Sequence, residues 1–199
     1  MRLTLLVEGE TESIAIHSFL QRWLNRPDRL SRPVGIRSID LGGSGSYLKE
    51  FAARAKKELE GGRCFAVIGL LDYYGSGLSS KFTVAKAKAF LEDQVGDRRF
   101  RQHFAVHETE AWLLSDPSVL PAKIQNRLPD REPETVNLVE PPSKLLSRLY
   151  QRELNKKYRK TVDGARLFQH LDPEQAYQRC PHLAALLDDM LDLARAAGF

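Results

Sequence analysis

The sequence predicts an α/β fold, with a mainly parallel sheet of about four strands flanked by helices and a helical C-terminal region. Two observations predict this class. Short apolar runs alternate with amphipathic stretches through the first half of the chain, as expected for a parallel sheet with crossover helices. The last part of the chain has apolar residues at helical spacing instead. A chain of 199 residues fits one domain with a smaller helical appendage.

Each strand and helix is predicted from its own pattern. The first unit is a strand over 2–7, a glycine turn and a helix over 14–24 whose apolar residues form one stripe. The run 64–71 is nearly all apolar, which is typical of a central strand covered on both faces. The other predicted elements are strands over 34–41 and 100–106, helices over 48–59 and 83–95, and a short helix that ends at Leu114.

The second half of the chain divides into two regions. Residues 117–142 hold six prolines, which discourage long regular elements, so we expect an irregular excursion with a short helix near 122–127. Residues 143–199 are expected to form a helical region packed on a core of residues 1–116. Ser143 is expected to cap a helix that extends to about Lys156, and 182–197 forms the closing helix.

Bulk composition narrows the class of protein. No apolar run approaches the roughly 18 residues that a membrane span needs, so no membrane association is expected. Cys64 and Cys180 lie far apart without a metal or disulfide pattern, which favours a reducing cytoplasm. The net charge of +4 and a pI near 9.1 favour an acidic partner such as nucleic acid.

The positive charge is concentrated in one segment, over 144–166. Tyr150 and Tyr158 interleave with the basic residues, so the segment could follow a phosphate backbone and stack on bases. A solvated helix face explains the same pattern, and both interpretations stay open. The candidate nucleic-acid-binding residues are Lys144, Arg148, Arg152, Lys156, Lys157, Arg159 and Lys160.

Acidic residues follow three of the predicted strands. Glu8, Asp72 and the pair Glu108 and Glu110 each come after an apolar run. Because the carboxyl ends of parallel strands meet at one edge of the sheet, these side chains are expected to converge. Carboxylate oxygens are the ligands that Mg²⁺ or Mn²⁺ prefers, and a Glu that binds no metal could transfer a proton.

Simpler explanations compete at several of these positions. Glu10 and Glu12 lie in the first turn of a helix, where the helix dipole favours an acid; Glu10 needs no other role, and Glu12 stays a secondary metal candidate. The same argument applies to the acids after the fourth strand. His107 is a candidate ligand or proton-transfer group, or a hydrogen-bonded strand-end histidine. The loop 42–46 lacks a Walker A lysine, although its amides could hold a phosphate.

These motifs resemble a Toprim domain, the metal-binding, Rossmann-like fold of topoisomerases, primases and nucleases of the overcoming-lysogenization-defect (OLD) family. The match consists of Leu5-Leu6-Val7-Glu8-Gly9 with Glu12, a strand that ends at Asp72, and a later acidic strand end. Nearly the whole chain also resembles the bacterial domain-of-unknown-function family 4276. The motifs for it are Val-Glu-Gly-x-Thr-Glu, Asp72-Tyr-Tyr-Gly75, His107-Glu108-x-Glu110-Ala111-Trp112, Pro142-Ser143-Lys144 and Cys180-Pro181-His182.

The resemblance implies roles for Glu8 and Asp72, and it also shows that one metal ligand usual in Toprim domains is replaced in this chain. It makes Glu8 the acid/base or metal-contacting glutamate and Asp72 the first metal ligand. Toprim domains usually carry Asp-x-Asp, and this chain has Tyr74 at the second position, so a two-metal site would need Glu108 or Glu110 instead.

The resemblance and the residues together lead to one leading hypothesis. We expect Mg²⁺- or Mn²⁺-dependent phosphodiester chemistry on DNA or RNA by a Toprim-type nuclease, in prokaryotic phage defence or a mobile element. Glu8, Glu108 and His107 are the candidate catalytic groups. The alternatives are a non-catalytic module that binds nucleic acid or a partner ATPase, and a small-nucleotide phosphohydrolase that uses the loop 42–46.

Overall fold

The sheet has four parallel strands, as predicted. The computed structural model describes residues 1–135 and 137–199, except for the side chains of Thr11 and Glu12. The strands are β1 (Arg2–Val7), β2 (Gly35–Asp40), β3 (Cys64–Asp72) and β4 (Phe100–Ala105). They pair in the order β2-β1-β3-β4, so β1 and β3 are the central strands. The predicted fold class is confirmed.

Helices connect and cover these strands. They are α1 (Glu10–Leu24), α2 (Ser44–Glu60), α3 (Val84–Val95), α4 (Ala122–Gln125), α5 (Pro142–Leu154), α6 (Ala165–His170), α7 (Pro173–Arg179) and α8 (Pro181–Ala196). Short 3-10 segments lie at Leu78–Ser80, Thr109–Ser115 and Pro117–Val119, and a π-helical turn lies at Lys160–Gly164. The sequence patterns did not predict α6 or α7. None of the helices in the described ranges is both long and apolar enough to cross a bilayer.

Two hydrophobic cores lie on opposite faces of the sheet. On the first face, α1 and the C-terminal helices bury a core that includes Phe19, Ile68 and Leu187. On the second face, α2 and α3 bury a smaller core that includes Phe51 and Leu91. Because the first core takes residues from both ends of the chain, the C-terminal helices pack directly on the sheet. The boundaries at 116 and 142 stay predictions.

Strand register determines which residues meet at the carboxyl edge. Val7 at the end of β1 pairs with Leu70 of β3, and Asp72 pairs with Ala105 at the end of β4. Glu8 and Asp72 therefore leave the sheet from neighbouring central strands. His107 follows β4 by two residues and reaches the same edge.

Candidate metal centre at the carboxyl edge of the sheet

Glu8 and Asp72 form the centre of the site. Their carboxyl groups are close enough to affect each other's ionisation, and Asp72 is 8% exposed. Burial raises the pKa of Glu8, and the carboxylates of Glu108 and Glu110 raise it further, while Lys160 and Asp72 oppose this. The Glu8 Oε2 atom is buried and has no hydrogen-bond partner among the described residues. Two carboxyl groups in this arrangement require a shared proton or a cation.

Glu110 acts electrostatically on Glu8 and is almost completely buried, at 2% exposure. It belongs to the 3-10 segment that follows β4. The ammonium Nζ of Lys160 lies 2.9 Å from its Oε1 atom. Burial raises the pKa of Glu110, and the positive charge of Lys160 counteracts that effect. Burying a carboxylate costs free energy unless a partner offsets its charge, and the ion pair with Lys160 provides that offset for Glu110.

Lys160 reaches the cluster from the π-helical turn in the C-terminal region. Burial lowers its pKa, but the carboxylates of Glu110, Glu108 and Asp72 more than compensate and raise the pKa of the ammonium. Lys160 was expected in the nucleic-acid-binding segment, and that role stays a prediction. The structure pairs its ammonium with Glu110, a partnership that no spacing in the sequence indicates.

Glu108 has a different set of partners. Its Oε2 atom accepts a hydrogen bond from the backbone N–H of Ser143 at 2.8 Å, and its Oε1 atom accepts one from the Ser143 hydroxyl at 3.0 Å. Ser143 lies in the first turn of α5, where the N–H groups have no helical partner. Pro141 is the N-cap residue, so the predicted capping role of Ser143 was wrong: Glu108 from outside the helix satisfies these donors.

His107 and Tyr74 form the wall of a cleft beside the carboxylates. Their rings stack with centroids 4.8 Å apart, and His107 is only 7% exposed. Neither ring nitrogen of His107 has a hydrogen-bond partner in the described part of the chain, which argues against the hydrogen-bonded strand-end alternative. Burial lowers its pKa, with a smaller opposing effect from Glu108. The cleft has a volume of about 510 Å³ and is also lined by Asp72, Glu108 and Leu138.

The glycine-rich loop 42–46 borders the same edge. The N–H of Gly43 donates to the backbone oxygen of Glu8, and the Ser44 hydroxyl lies 3.4 Å from the backbone oxygen of Gly75. The loop therefore connects the end of β1 to the turn after β3. α2 begins at Ser44 and has no acidic residue in its first turn.

The basic segment is largely neutralised within the protein. Arg148 pairs with Glu140, Arg152 with Glu153, and Lys156 and Arg159 with Asp163. Within the described ranges, Lys144 and Lys157 make no ion pair. The expectation that Tyr150 and Tyr158 are available to stack on bases was wrong, because both are buried and pack edge to face at 5.1 Å.

The comparisons with known proteins identify the family. The family model described as Domain of unknown function (DUF4276) matches residues 7–191. The chain belongs to this family. No curated protein matches it by sequence.

The fold of this DUF4276 domain is similar to solved structures of one other protein. Two structures of the C-terminal region of the Xanthomonas campestris pv. campestris OLD protein, phased with iodine and with mercury, match at TM-scores of 0.51 and 0.50. Identities are 18% and 16%, and coverage is 98% and 100% of this chain and 97% and 98% of the OLD chains. The chain therefore shares its fold with the C-terminal region of the OLD protein, as the resemblance of the sequence motifs led us to expect.

The candidate metal-ligating side chains of the DUF4276 domain fit one hard divalent cation better than two. Glu8 and Asp72 supply carboxylate oxygens, one of them buried without a partner, and Mg²⁺ commonly takes one or two carboxylates plus waters and phosphate. In the part of the chain that the structure describes, no three His, Cys, Asp or Glu side chains are placed to hold one ion. The side chain of Glu12, the remaining predicted ligand, lies outside the described residues.

Proposed function

We propose that this domain hydrolyses nucleic-acid phosphodiesters in a Mg²⁺- or Mn²⁺-dependent reaction, as a Toprim-type nuclease in prokaryotic phage defence or a mobile element. The observation that carries the proposal is the pair of interacting carboxyl groups, Glu8 and Asp72, at the carboxyl edge of neighbouring central strands, beside an open cleft. The fold similarity to the OLD C-terminal region supports the same class of activity. A cytoplasmic location belongs to the proposal and agrees with the free, buried cysteines.

The side chains around the cleft have complementary tasks in this reaction. Glu8 and Asp72 would hold the divalent ion, which when bound neutralises phosphate charge and makes water a better nucleophile. His107 is neutral near pH 7 because burial lowers its pKa, so it can accept a proton through an unpartnered ring nitrogen. Glu108 orients the start of α5 towards the cleft through Ser143.

The charges near the site favour a polyanionic substrate. α5 carries Lys144 in its first turn, directly after the Ser143 that Glu108 holds. Lys144 and Lys157 have no ion pair within the described residues and are available for phosphates. The neutralised arginines need an exchange of partners before they can contribute. The proposal covers both DNA and RNA as substrates.

The direct test is cleavage by wild type, Glu8→Gln and Glu10→Gln on single- and double-stranded DNA and RNA, with small nucleotides as further substrates. Glu10→Gln is the matched control, because Glu10 is exposed and two residues away. We expect Mg²⁺- or Mn²⁺-dependent cleavage by wild type and the control, and at least about a hundredfold loss in Glu8→Gln. Undiminished cleavage by Glu8→Gln would contradict the assignment.

A non-catalytic module is the second candidate, and Lys160 is the observation that favours it. Its ammonium already balances the buried charge of Glu110, as it would in a protein that needs no metal. Such a module would bind nucleic acid or a partner ATPase without cutting. Binding by wild type with a steep salt dependence, roughly −0.9 in log–log slope per phosphate contacted, and no cleavage with any divalent ion would support this candidate.

A further inference from the structure

The ammonium of Lys160 brings a positive charge to the carboxylates of Glu8, Asp72, Glu108 and Glu110, which we call the carboxylate cluster. It lies 2.9 Å from Glu110 Oε1, and its charge also acts on Glu8, Glu108 and Asp72. Each of these acidic residues is a candidate metal ligand in the sequence. The cluster therefore already contains one positive charge of its own.

The backbone around Lys160 is held in place, but its side chain has a route to solvent. Asp163 accepts hydrogen bonds from the N–H of Arg159 at 2.9 Å and from the ammonium of Lys156 at 2.7 Å, which anchors the turn on both sides of Lys160. The Lys160 side chain is 39% exposed, whereas that of Glu110 is 2% exposed. The lysine can therefore leave the cluster by rotation of its side chain, and Glu110 cannot.

We propose that Lys160 is the resident cation of this cluster and that a divalent ion binds at Glu8 and Asp72 in competition with it. This inference rests on the proposed metal site and adds the residue that determines its affinity. A divalent ion and an ammonium group among the same carboxylates repel each other, and burial strengthens that repulsion. Binding of the ion is then coupled to departure of Lys160, which weakens the observed affinity.

The experiment measures Mn²⁺ binding to metal-free protein and does not depend on activity. Free Mn²⁺ is counted by electron paramagnetic resonance during titration, and heat is measured by calorimetry. The variants are Lys160→Met and, as control, Lys123→Met, which makes the same charge change at an exposed lysine of α4 with no ion pair in the described ranges. We expect Lys160→Met to bind Mn²⁺ at least about tenfold more tightly than wild type, and Lys123→Met to match wild type within about twofold.

Further variants locate the effect and protect the test against misfolding. Adding Glu8→Gln to Lys160→Met should abolish the gain, because the ion then loses a ligand. If Lys160→Met fails to fold, Lys160→Gln removes the charge while keeping a hydrogen-bond donor for Glu110, and the same gain is expected.

The possible results separate this inference from the proposed function. Measurable but equal Mn²⁺ affinities of wild type and the Lys160 variants would overturn the competition and leave the metal site intact. Weaker binding by the Lys160 variants would also overturn it. No binding by any variant would overturn both the inference and the metal-dependent function.

Discussion

Glu108 shows how one side chain can serve both architecture and a candidate site. Its two oxygens accept hydrogen bonds from the N–H and hydroxyl of Ser143, so it joins the exit of β4 to the start of α5. The same carboxylate lines the cleft beside Asp72. A loss of activity in a Glu108 variant therefore needs a stability measurement before it can be assigned to chemistry.

We predict that Glu108→Ala lowers the free energy of unfolding by about 1–2 kcal/mol, because two donors at the start of α5 lose their acceptor. Glu108→Gln should lose less, since an amide oxygen can still accept one of these hydrogen bonds. Urea unfolding at pH 7 measures both changes. Ser143→Ala removes only the hydroxyl and serves as the intermediate control. If Glu108→Ala is as stable as wild type, the hydrogen bonds between Glu108 and Ser143 contribute nothing to the free energy of unfolding.

At the scale of single elements, β3 depends on a residue without a side chain. Gly69 lies in the middle of the strand, where Tyr47 of α2 donates a hydrogen bond to Gln102 of β4 at 2.8 Å. A Cβ atom at position 69 would overlap with the Tyr47 hydroxyl and the Gln102 side-chain oxygen. Both neighbours are fully buried, so neither can move into solvent.

We therefore predict that Gly69→Ala destabilises the protein by about 1–3 kcal/mol through overpacking. Gly35→Ala is the control on another strand of the sheet: Gly35 is exposed on β2, and a Cβ atom there would come no closer than 3.9 Å to Arg2 Cβ. That control should be neutral or slightly stabilising, because alanine reduces the freedom of the unfolded chain. Thermal unfolding of both variants makes the comparison. Equal stability of Gly69→Ala and wild type would mean that the Tyr47–Gln102 contact can relax at no cost.

The first half of the fold was predictable because its elements are defined by local patterns. The apolar run in β3 and the amphipathic stripe of α1 both follow from periodicity, and parallel pairing then brings Glu8 and Asp72 to one edge. α6 and α7 were not predicted, since they are only six and seven residues long and show little periodicity.

The partners in the site were less predictable than its acids. Lys160 and Glu110 are 50 positions apart, and no local pattern indicates that a lysine from a basic segment turns inward. The partnership of Glu108 with Ser143 is equally non-local. Tyr150 is buried because it lies on the apolar stripe of α5, although charged residues interleave with that stripe in the sequence. Tyr158 is buried in the irregular segment between α5 and the π-helical turn, where no periodic pattern indicates it.

At the scale of the whole molecule, a buried polar contact joins the sheet to the C-terminal helix. His103 of β4 is 4% exposed, and its Nε2 atom lies 2.9 Å from Asp189 Oδ2 on α8. Lys88 of α3 also donates to Asp189, at 3.0 Å. Burial alone would raise the pKa of Asp189, but these hydrogen bonds lower it to about 2. The carboxylate therefore stays ionised down to strongly acidic pH.

The pKa of His103 is lowered, chiefly by burial and despite its hydrogen bond to Asp189. The unfolded chain therefore takes up a proton near pH 6.5, while the folded protein does so only at lower pH. The stability that the neutral imidazole contributes is fully present above pH 6.5 and decreases as the pH falls below that value, by at most about 1.4 kcal/mol per pH unit for one proton. Asp189 titrates well below this window and does not interfere.

We predict that wild type loses stability more steeply than His103→Gln when urea unfolding is compared between pH 7.5 and 5.5. Glutamine does not titrate but can still donate to Asp189, so the difference between the two slopes isolates the histidine. The comparison also cancels the opposite effect of Glu8 and Glu110, whose raised pKa values favour the folded state as the pH falls. Parallel slopes would contradict the prediction and would mean that His103 takes up its proton in the folded protein without opening the contact between β4 and α8.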